Sequence, residues 1–431
     1  MSGSPSVVVI GGSLAGLMQG IVIKRLGHNV TILEQHLSST REGQAAGIVT
    51  MEHSHAFMNA HDHLKEQPYA VPCPGVQSLD KDLKVVGGFD RPMRMASWNV
   101  LYYRFRANFD GLTSSYCNSP PEYTPVEANK HGKAVYEQGK SVKNIKYIDG
   151  SVIVELEDLL DKTSGGRGSI RADLVIVADG STSHIRQLLQ PYLKHTYAGY
   201  VAWRGTVLES EVSEEAKNIF QLKTTLHATT HSYIALYTIP GENGTLEPGE
   251  RLLNYVWYTN IAEDSLELAE AMTDSSGKQH RHTVPIGKMQ KHVWEKQRAL
   301  ASRILPAPFA ELIHKTTQPF ITSIVDIGVS KPSFFDGKLL VVGDALCPFR
   351  PHVACSTNQA ALNALLLEKM LSGKMSLAAW QSQVVDYAHL TRLQSITWGS
   401  WYQYGYLAFF FSEAKFRLAG YMSRLRKYWH G

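Results

Sequence analysis

A short β-branched run, Val7-Val8-Val9-Ile10, stops at Gly11-Gly12 and gives way to Leu14, Leu17, Met18, Ile21 and Val22, whose spacings of three and four mark a buried helix face. Gly27 supplies a C-cap for that helix, and a second apolar run, Val30-Thr31-Ile32-Leu33, ends at Glu34. Strand, helix and strand within about 30 residues have the size of a βαβ unit, which predicts a parallel sheet.

The turn inside this unit carries chemistry. Gly11-Gly12-Ser13-Leu14-Ala15-Gly16 sits between a strand and a helix N-terminus, where free N–H groups and the helix dipole suit a pyrophosphate. Ser13 occupies the place of the usual second glycine, so close approach of the backbone rests on a small side chain. Glu34 follows Gly11 by 34 − 11 = 23 positions, near the spacing of about 20 at which a carboxylate meets ribose hydroxyls. Together they predict dinucleotide binding, with NAD and FAD both open at this point.

With 431 residues, a divisor of about 150 per domain suggests roughly three units. The pattern along the chain revises that count. Leu174-Val175-Ile176-Val177-Ala178 and Leu339-Leu340-Val341-Val342 are continuous apolar runs of the kind buried on both faces, and each ends in an acidic residue, Asp179 and Asp344. Both are expected to share the first sheet, with their carboxyl ends at the ligand side. Pro68 to Pro92 predicts loops and edge strands, Trp98 to Phe109 a helix, and Val142 to Leu156 a hairpin turning at Asp149-Gly150. Residues 195–330 are strand-like, aromatic and broken by polar loops, which predicts a mostly antiparallel unit. The expected fold class is α/β: a Rossmann-like nucleotide-binding domain of residues 1–67, 97–186 and 335–380, interleaved with an antiparallel substrate domain of 68–96 and 187–334. A C-terminal helical extension occupies 381–431.

Lys plus Arg at 43 against Asp plus Glu at 39 leaves +4, too little over this length for a nucleic-acid footprint. The partner is expected to be a small molecule. Four cysteines without a CxxC pair suit a reducing compartment, so a cytoplasmic location is the default. No apolar run approaches the roughly 18 residues needed to span a bilayer. His53, His55, His61 and His63 raise the question of a metal, but no carboxylate or cysteine set at ligand spacing accompanies them, and no metal is expected. Cys347 and Cys355 read as small buried hydrophobes rather than a redox pair.

The Gly11 fingerprint, the Asp179-Gly180 strand end and the Gly343-Asp344 to Asn358 segment together resemble the three signatures of single-component FAD-dependent aromatic hydroxylases, spread over nearly the whole chain. Within that class the chain is similar to the 2,6-dihydroxypyridine 3-monooxygenase-like group, through Ser97-Trp98-Asn99-Val100-Leu101, Val201-Ala202-Trp203-Arg204-Gly205, Asn254-Tyr255-Val256-Trp257-Tyr258 and Arg350-Pro351-His352-Val353-Ala354. The resemblance implies FAD as cofactor, NADPH or NADH as a transient co-substrate, and O2. It places Gly11, Gly12, Ser13, Leu14, Ala15 and Gly16 at the pyrophosphate, Glu34 and Gln35 at the adenosine ribose, and Arg41 or Arg106 at the phosphates or ribityl chain. Asp344 would bond the ribityl hydroxyls, and backbone N–H groups of Ser356, Thr357 and Asn358 would face the pyrimidine edge. Ser356 stands where the family commonly has glycine. Asp179, with Arg186, would belong to the motif shared by FAD and the nicotinamide donor.

The implied reaction is hydroxylation of a phenolic or N-heteroaromatic ring by a flavin C4a-hydroperoxide, with decarboxylation of a hydroxybenzoate-type acid left open. Epoxidation or dehydrogenation on the same scaffold, in secondary metabolism, is the alternative. His352 is the candidate base for a phenolic proton. Trp203, Arg204, Trp257 and Tyr258 are candidates for the small aromatic substrate, Arg204 as a bidentate clamp for a carboxylate. The aromatic tail, Trp398 to Phe410 with basic residues after it, is expected to form a helix packed on the body; a homodimer interface and a membrane surface stay open.

Overall fold

The computed structural model describes residues 6–38, 46–64, 67–161, 166–220 and 223–430, with side chains through residue 425. Ser6–Ile10 lies at the heart of a six-stranded sheet. Leu174–Val177 and Asn29–Glu34 flank it in parallel, Leu339–Val341 extends one side and Ala134–Gln138 the other, and the short Ser333–Phe334 closes an edge antiparallel. Three of these strands, Ser6–Ile10, Leu174–Val177 and Leu339–Val341, are almost wholly apolar because helices cover both faces, whereas one-sided strands alternate. Helix Leu14–Arg25, helix Trp98–Asp110 and helix Ser356–Leu371 form the nearer cover.

A nine-stranded sheet forms the second layer system. Its order is Thr283–Val284, Phe320–Asp326, Thr196–Leu208, Leu252–Asn260, Ser232–Ile239, Thr224–Thr229, Val71–Leu79, Val85–Ser97 and Gly47–Thr50, antiparallel except where Thr224–Thr229 runs with Val71–Leu79. One face packs on helices Lys291–Ile304 and Ala307–Lys315, the other on the cavity described below. A three-stranded sheet, Lys140–Ile148, Ser151–Asp158 and Arg167–Ala172, completes the β-structure among the described residues.

Three expectations change. Residues 68–92 form two long strands rather than loops and edges; Pro72 and Pro74 are tolerated because the parallel neighbour begins pairing only at Val76. Gly47–Thr50, assigned to the nucleotide unit by sequence, pairs instead with Val85–Ser97. The tail is two helices, Leu377–Tyr404 and Tyr406–His430, broken at Gly405, whose φ of +81° ends the first. The second packs on the first, pinned by Ser412–Ser400 and Ser423–Asp386 hydrogen bonds, and leaves its outer apolar face exposed rather than buried.

Candidate active site

A cavity of about 590 Å³ lies between the two large sheets, within the usual range for a small-molecule site. At its nucleotide end stand Asp344, Ser356 and Thr357; its opposite wall is made by the cavity face of the nine-stranded sheet.

The glycine-rich turn is built for close approach. Gly11 has φ +100°, and a Cβ there would meet the Ala178 carbonyl oxygen at 2.4 Å, so a side chain would separate the first strand from its neighbour. Gly16 touches the Gly11 carbonyl in the same way, which seats the helix on the turn. Ser13, the departure from the fingerprint, has its hydroxyl engaged by Trp98 Nε1 at 3.2 Å and makes no cap bond, so the first N–H groups of Leu14, Ala15 and Gly16 keep no side-chain partner from it. Glu34 accepts the Gly12 N–H at 2.9 Å and the His36 N–H at 2.8 Å, holding its carboxylate at the turn. Gln35 is exposed just beyond that strand, and Arg41 lies outside the described residues.

Arg106 is anchored within its own helix. Its guanidinium is bidentate with Asp110, donates to the Tyr102 hydroxyl at 2.9 Å and stacks 3.6 Å from the Tyr136 ring centroid, which engages three of its five N–H groups. Arg186 is likewise a staple: it is 1% exposed and ties the Ser181 carbonyl to those of Asp344 and Ala345, joining the two acidic strand ends. Asp179 accepts the Ile185 N–H at 3.2 Å with one oxygen; its other carboxylate oxygen is buried without a partner, and burial pushes its pKa up.

Asp344 bears most directly on the cofactor. Its Oδ1 is buried with no hydrogen-bond partner, and desolvation raises its pKa. A buried carboxylate oxygen left unmet costs stability unless a ligand donor satisfies it. The helix beginning at Ser356 opens on the same cavity with no side-chain cap, leaving first-turn amides of Ser356, Thr357 and Asn358 for an acceptor. The Asn358 side chain is spoken for: its Oδ1 receives the N–H groups of His53 and Ser54, capping helix Glu52–His61. An orphaned acceptor beside uncapped amides, reached from a glycine turn, fits a hydroxylated chain leading to a ring with an acceptor edge, as FAD has.

Strand parity sorts the substrate candidates. Successive residues face opposite sides, so Trp203 and Arg204 cannot share a wall, nor can Trp257 and Tyr258. Trp203 and Trp257 point into the helix-covered core, where their indole N–H groups donate to Thr259 and Ser232, both at 2.8 Å; neither lines the cavity, which corrects the sequence expectation. Arg204 and Tyr258 face the cavity. Arg204 makes no ion pair among the described residues, and its Nε is buried without a partner, its guanidinium carbon 6.0 Å from the Phe320 ring centroid.

The sequence missed the polar chain in this wall. Asp326 grips Arg350, Arg350 Nη1 reaches the Tyr200 hydroxyl at 3.3 Å, Tyr200 meets His352 Nε2 at 2.6 Å, His352 Nδ1 bonds the Tyr233 hydroxyl, and the Tyr258 ring stacks on Tyr233 at 4.6 Å. Burial lowers the His352 pKa to about 3, so the ring is neutral. Arginine can only donate. Tyr200 therefore accepts from Arg350, neutral His352 presents one donor and one acceptor nitrogen between Tyr200 and Tyr233, and Tyr258 stands on Tyr233 at the cavity face. Neither ring nitrogen of His352 is open to a ligand, which removes it from the role of direct base. Parity with Arg204 along Tyr200-Val201-Ala202-Trp203-Arg204 is the signal that would have found Tyr200.

A family model described as FAD binding domain-like matches residues 197–326, which lie in the nine-stranded sheet and its helices. Over 389 residues the chain is 26% identical to the 2,6-dihydroxypyridine 3-monooxygenase of Paenarthrobacter nicotinovorans, covering 89% of this chain and 88% of that protein. The solved structure of 2,6-dihydroxypyridine-3-hydroxylase from Arthrobacter nicotinovorans is similar at TM-score 0.78 and 25% identity, with 93% of each chain covered. HpxO of Klebsiella pneumoniae, solved with FAD and uric acid, shares the fold at TM-score 0.67 and 17% identity over 97% of this chain and 93% of its own.

Proposed function

Since the chain is an FAD-dependent monooxygenase of the aromatic hydroxylase group, we propose that it hydroxylates an electron-rich aromatic ring bearing both an acidic group and a hydroxyl or ring-nitrogen activator, with NADH or NADPH as donor. The observation that carries this reading is the cavity wall itself: a guanidinium with no ion pair among the described residues, Arg204, and a hydroxyl donor, Tyr258, face one space whose far end is the Asp344 and Ser356 edge.

Asp344 would take hydroxyl donors of the ribityl chain, the amides at Ser356 and Thr357 the pyrimidine oxygen, and the Gly11 to Gly16 turn the pyrophosphate. Bound there, FAD supplies the reduced ring that activates dioxygen for transfer to substrate. Arg204 gives a carboxylate its bidentate partner and so fixes which ring edge faces the flavin. Tyr258 donates to the activating oxygen, and its ring is held by stacking on Tyr233, whose hydroxyl is tied to His352, so the donor needs little reorganisation. That bond fixes the activating oxygen, and with it the reacting ring edge, in one orientation. Tyr233 stacks between Tyr258 and Tyr402, at 4.6 and 4.1 Å, and this aromatic wall keeps water from the reacting edge.

The reading is tested by screening hydroxybenzoates and hydroxypyridines for stimulated NADH and NADPH oxidation with mass analysis of products. An acidic phenol or hydroxypyridine that raises oxidation and gains oxygen supports it; no oxygenated aromatic product overturns it.

A further inference from the structure

Among the described residues, eleven of the 23 exposed large hydrophobic side chains lie between Trp398 and Leu425. On helix Tyr406–His430 the positions Leu407, Phe411, Leu418, Met422 and Leu425 are spaced by four, seven, four and three, which places them on one face. Leu407 is 77% and Phe411 72% exposed, and no described part of the chain covers them. Apolar patches of this extent mark a contact surface.

Charge decides the kind of partner. The helix carries five Lys and Arg residues and one acid, Glu413. Arg417 is paired with Glu413, while Lys415 and Arg424, both exposed, make no ion pair among the described residues. Two-fold pairing with a second copy would set this basic helix against itself. A negatively charged surface meets both the apolar face and its cationic flanks. No helix among the described residues is long and apolar enough to cross a membrane, so the contact is one of lying flat; Leu407 to Leu425 covers about 27 Å.

We propose that this helix docks on an anionic lipid bilayer surface. The position has a consequence for the cavity. Trp398 and Tyr402 of the preceding helix line it, and Trp401 packs on Tyr406 and Phe409, so the docked hairpin sets one cavity wall beside the lipid. The inference stands on the exposed face and its charges and does not rest on the ring chemistry proposed above.

The test uses the full flavin-bound chain with sucrose-loaded vesicles of phosphatidylcholine alone or with a quarter phosphatidylserine. Co-sedimentation is expected only with the anionic vesicles and weakens as salt rises. Lys415→Glu with Arg424→Glu is expected to weaken it by at least about tenfold, and Phe411→Ser with Leu418→Ser to abolish it, with flavin content and NAD(P)H oxidation in solution unchanged. Absence of binding to either vesicle, or equal binding by the charge-reversed variant, overturns the proposal. So does a dimer in sedimentation velocity that is lost in the Phe411→Ser, Leu418→Ser variant, because a second copy would then cover the stripe.

Discussion

The α-carbon of Gly399 faces the bond between His352 and Tyr200: a Cβ at that position would lie 2.9 Å from His352 Nε2 and 2.8 Å from the Tyr200 hydroxyl. Glycine in the middle of a long helix is disfavoured relative to alanine by about 0.5–1 kcal/mol. Here it lets the helix press against the polar chain.

Gly399→Ala therefore separates stability from activity. Helix propensity gains what the crowding loses, so unfolding free energy is expected to move by no more than about 1 kcal/mol. Substrate-stimulated turnover should fall by roughly tenfold or more as the His352–Tyr200 bond is displaced. Paired denaturation and steady-state measurements check this; full activity in Gly399→Ala would show that the close approach is not needed.

Tyr258→Phe removes the donor itself, and Tyr233→Phe removes the hydroxyl that ties the ring stacked on Tyr258 to His352. Loss of one preorganised donor costs about 10²–10³ in rate, and it is expected in kcat, with flavin content retained. His352→Gln should act as a positioning change: turnover falls, yet the pH profile of the remaining activity between 6 and 8 keeps its shape, because the ring does not titrate there. A profile that loses a limb in His352→Gln would return the base role to His352.

Arg204→Leu deletes a cation with no ion pair among the described residues. KM for an acidic aromatic substrate should rise by about 10–100-fold, from a lost charge-assisted pair of roughly 1.5–3 kcal/mol, while neutral analogues are spared. Thermal stability should hold or increase, since a partly buried unpaired charge is removed. Equal losses for acidic and neutral substrates would show that Arg204 shapes the pocket without reading charge.

Burial of neutral His352 also predicts a pH dependence of stability. Its pKa is about 6.5 unfolded and about 3 folded, so between these values the unfolded chain binds the extra proton. Stability from this residue is complete above pH 6.5 and is lost as pH falls toward 3, by on the order of 5 kcal/mol in all. His352→Gln should flatten the slope of unfolding free energy over that window relative to the unaltered chain.

Much of the nucleotide half was legible because its signals are local. A β-branched strand, a glycine turn and Glu34 lie within 30 residues, and the continuous apolar runs at Leu174 and Leu339 can only be strands covered on both faces. The Arg106 environment was less legible, because its partner Asp110 sits one helical turn away and anchors the guanidinium on its own helix. Trp203 and Trp257 carry no local mark that separates them from cavity residues; strand parity alone sends each to the side opposite Arg204 or Tyr258. The chain from Asp326 to Tyr233, with Tyr258 stacked on its end, draws on the strands at 196–208, 232–239, 252–260 and 320–326 and on the turn at Arg350 to His352. No local pattern marks such a convergence.

Asp344→Asn tests the cofactor end. The buried carboxylate with an orphaned oxygen costs the empty chain stability, so the variant without flavin should be as stable or more so, while its flavin affinity falls by about tenfold or more. Retained flavin at unchanged affinity would place the ribityl contact elsewhere.

The most direct measurement is turnover under isotopically heavy dioxygen with an acidic phenol or hydroxypyridine and NAD(P)H. The account predicts that the aromatic product carries one heavy oxygen atom on the ring. A product whose added oxygen comes from water, or NAD(P)H oxidation with no oxygenated ring, would contradict it.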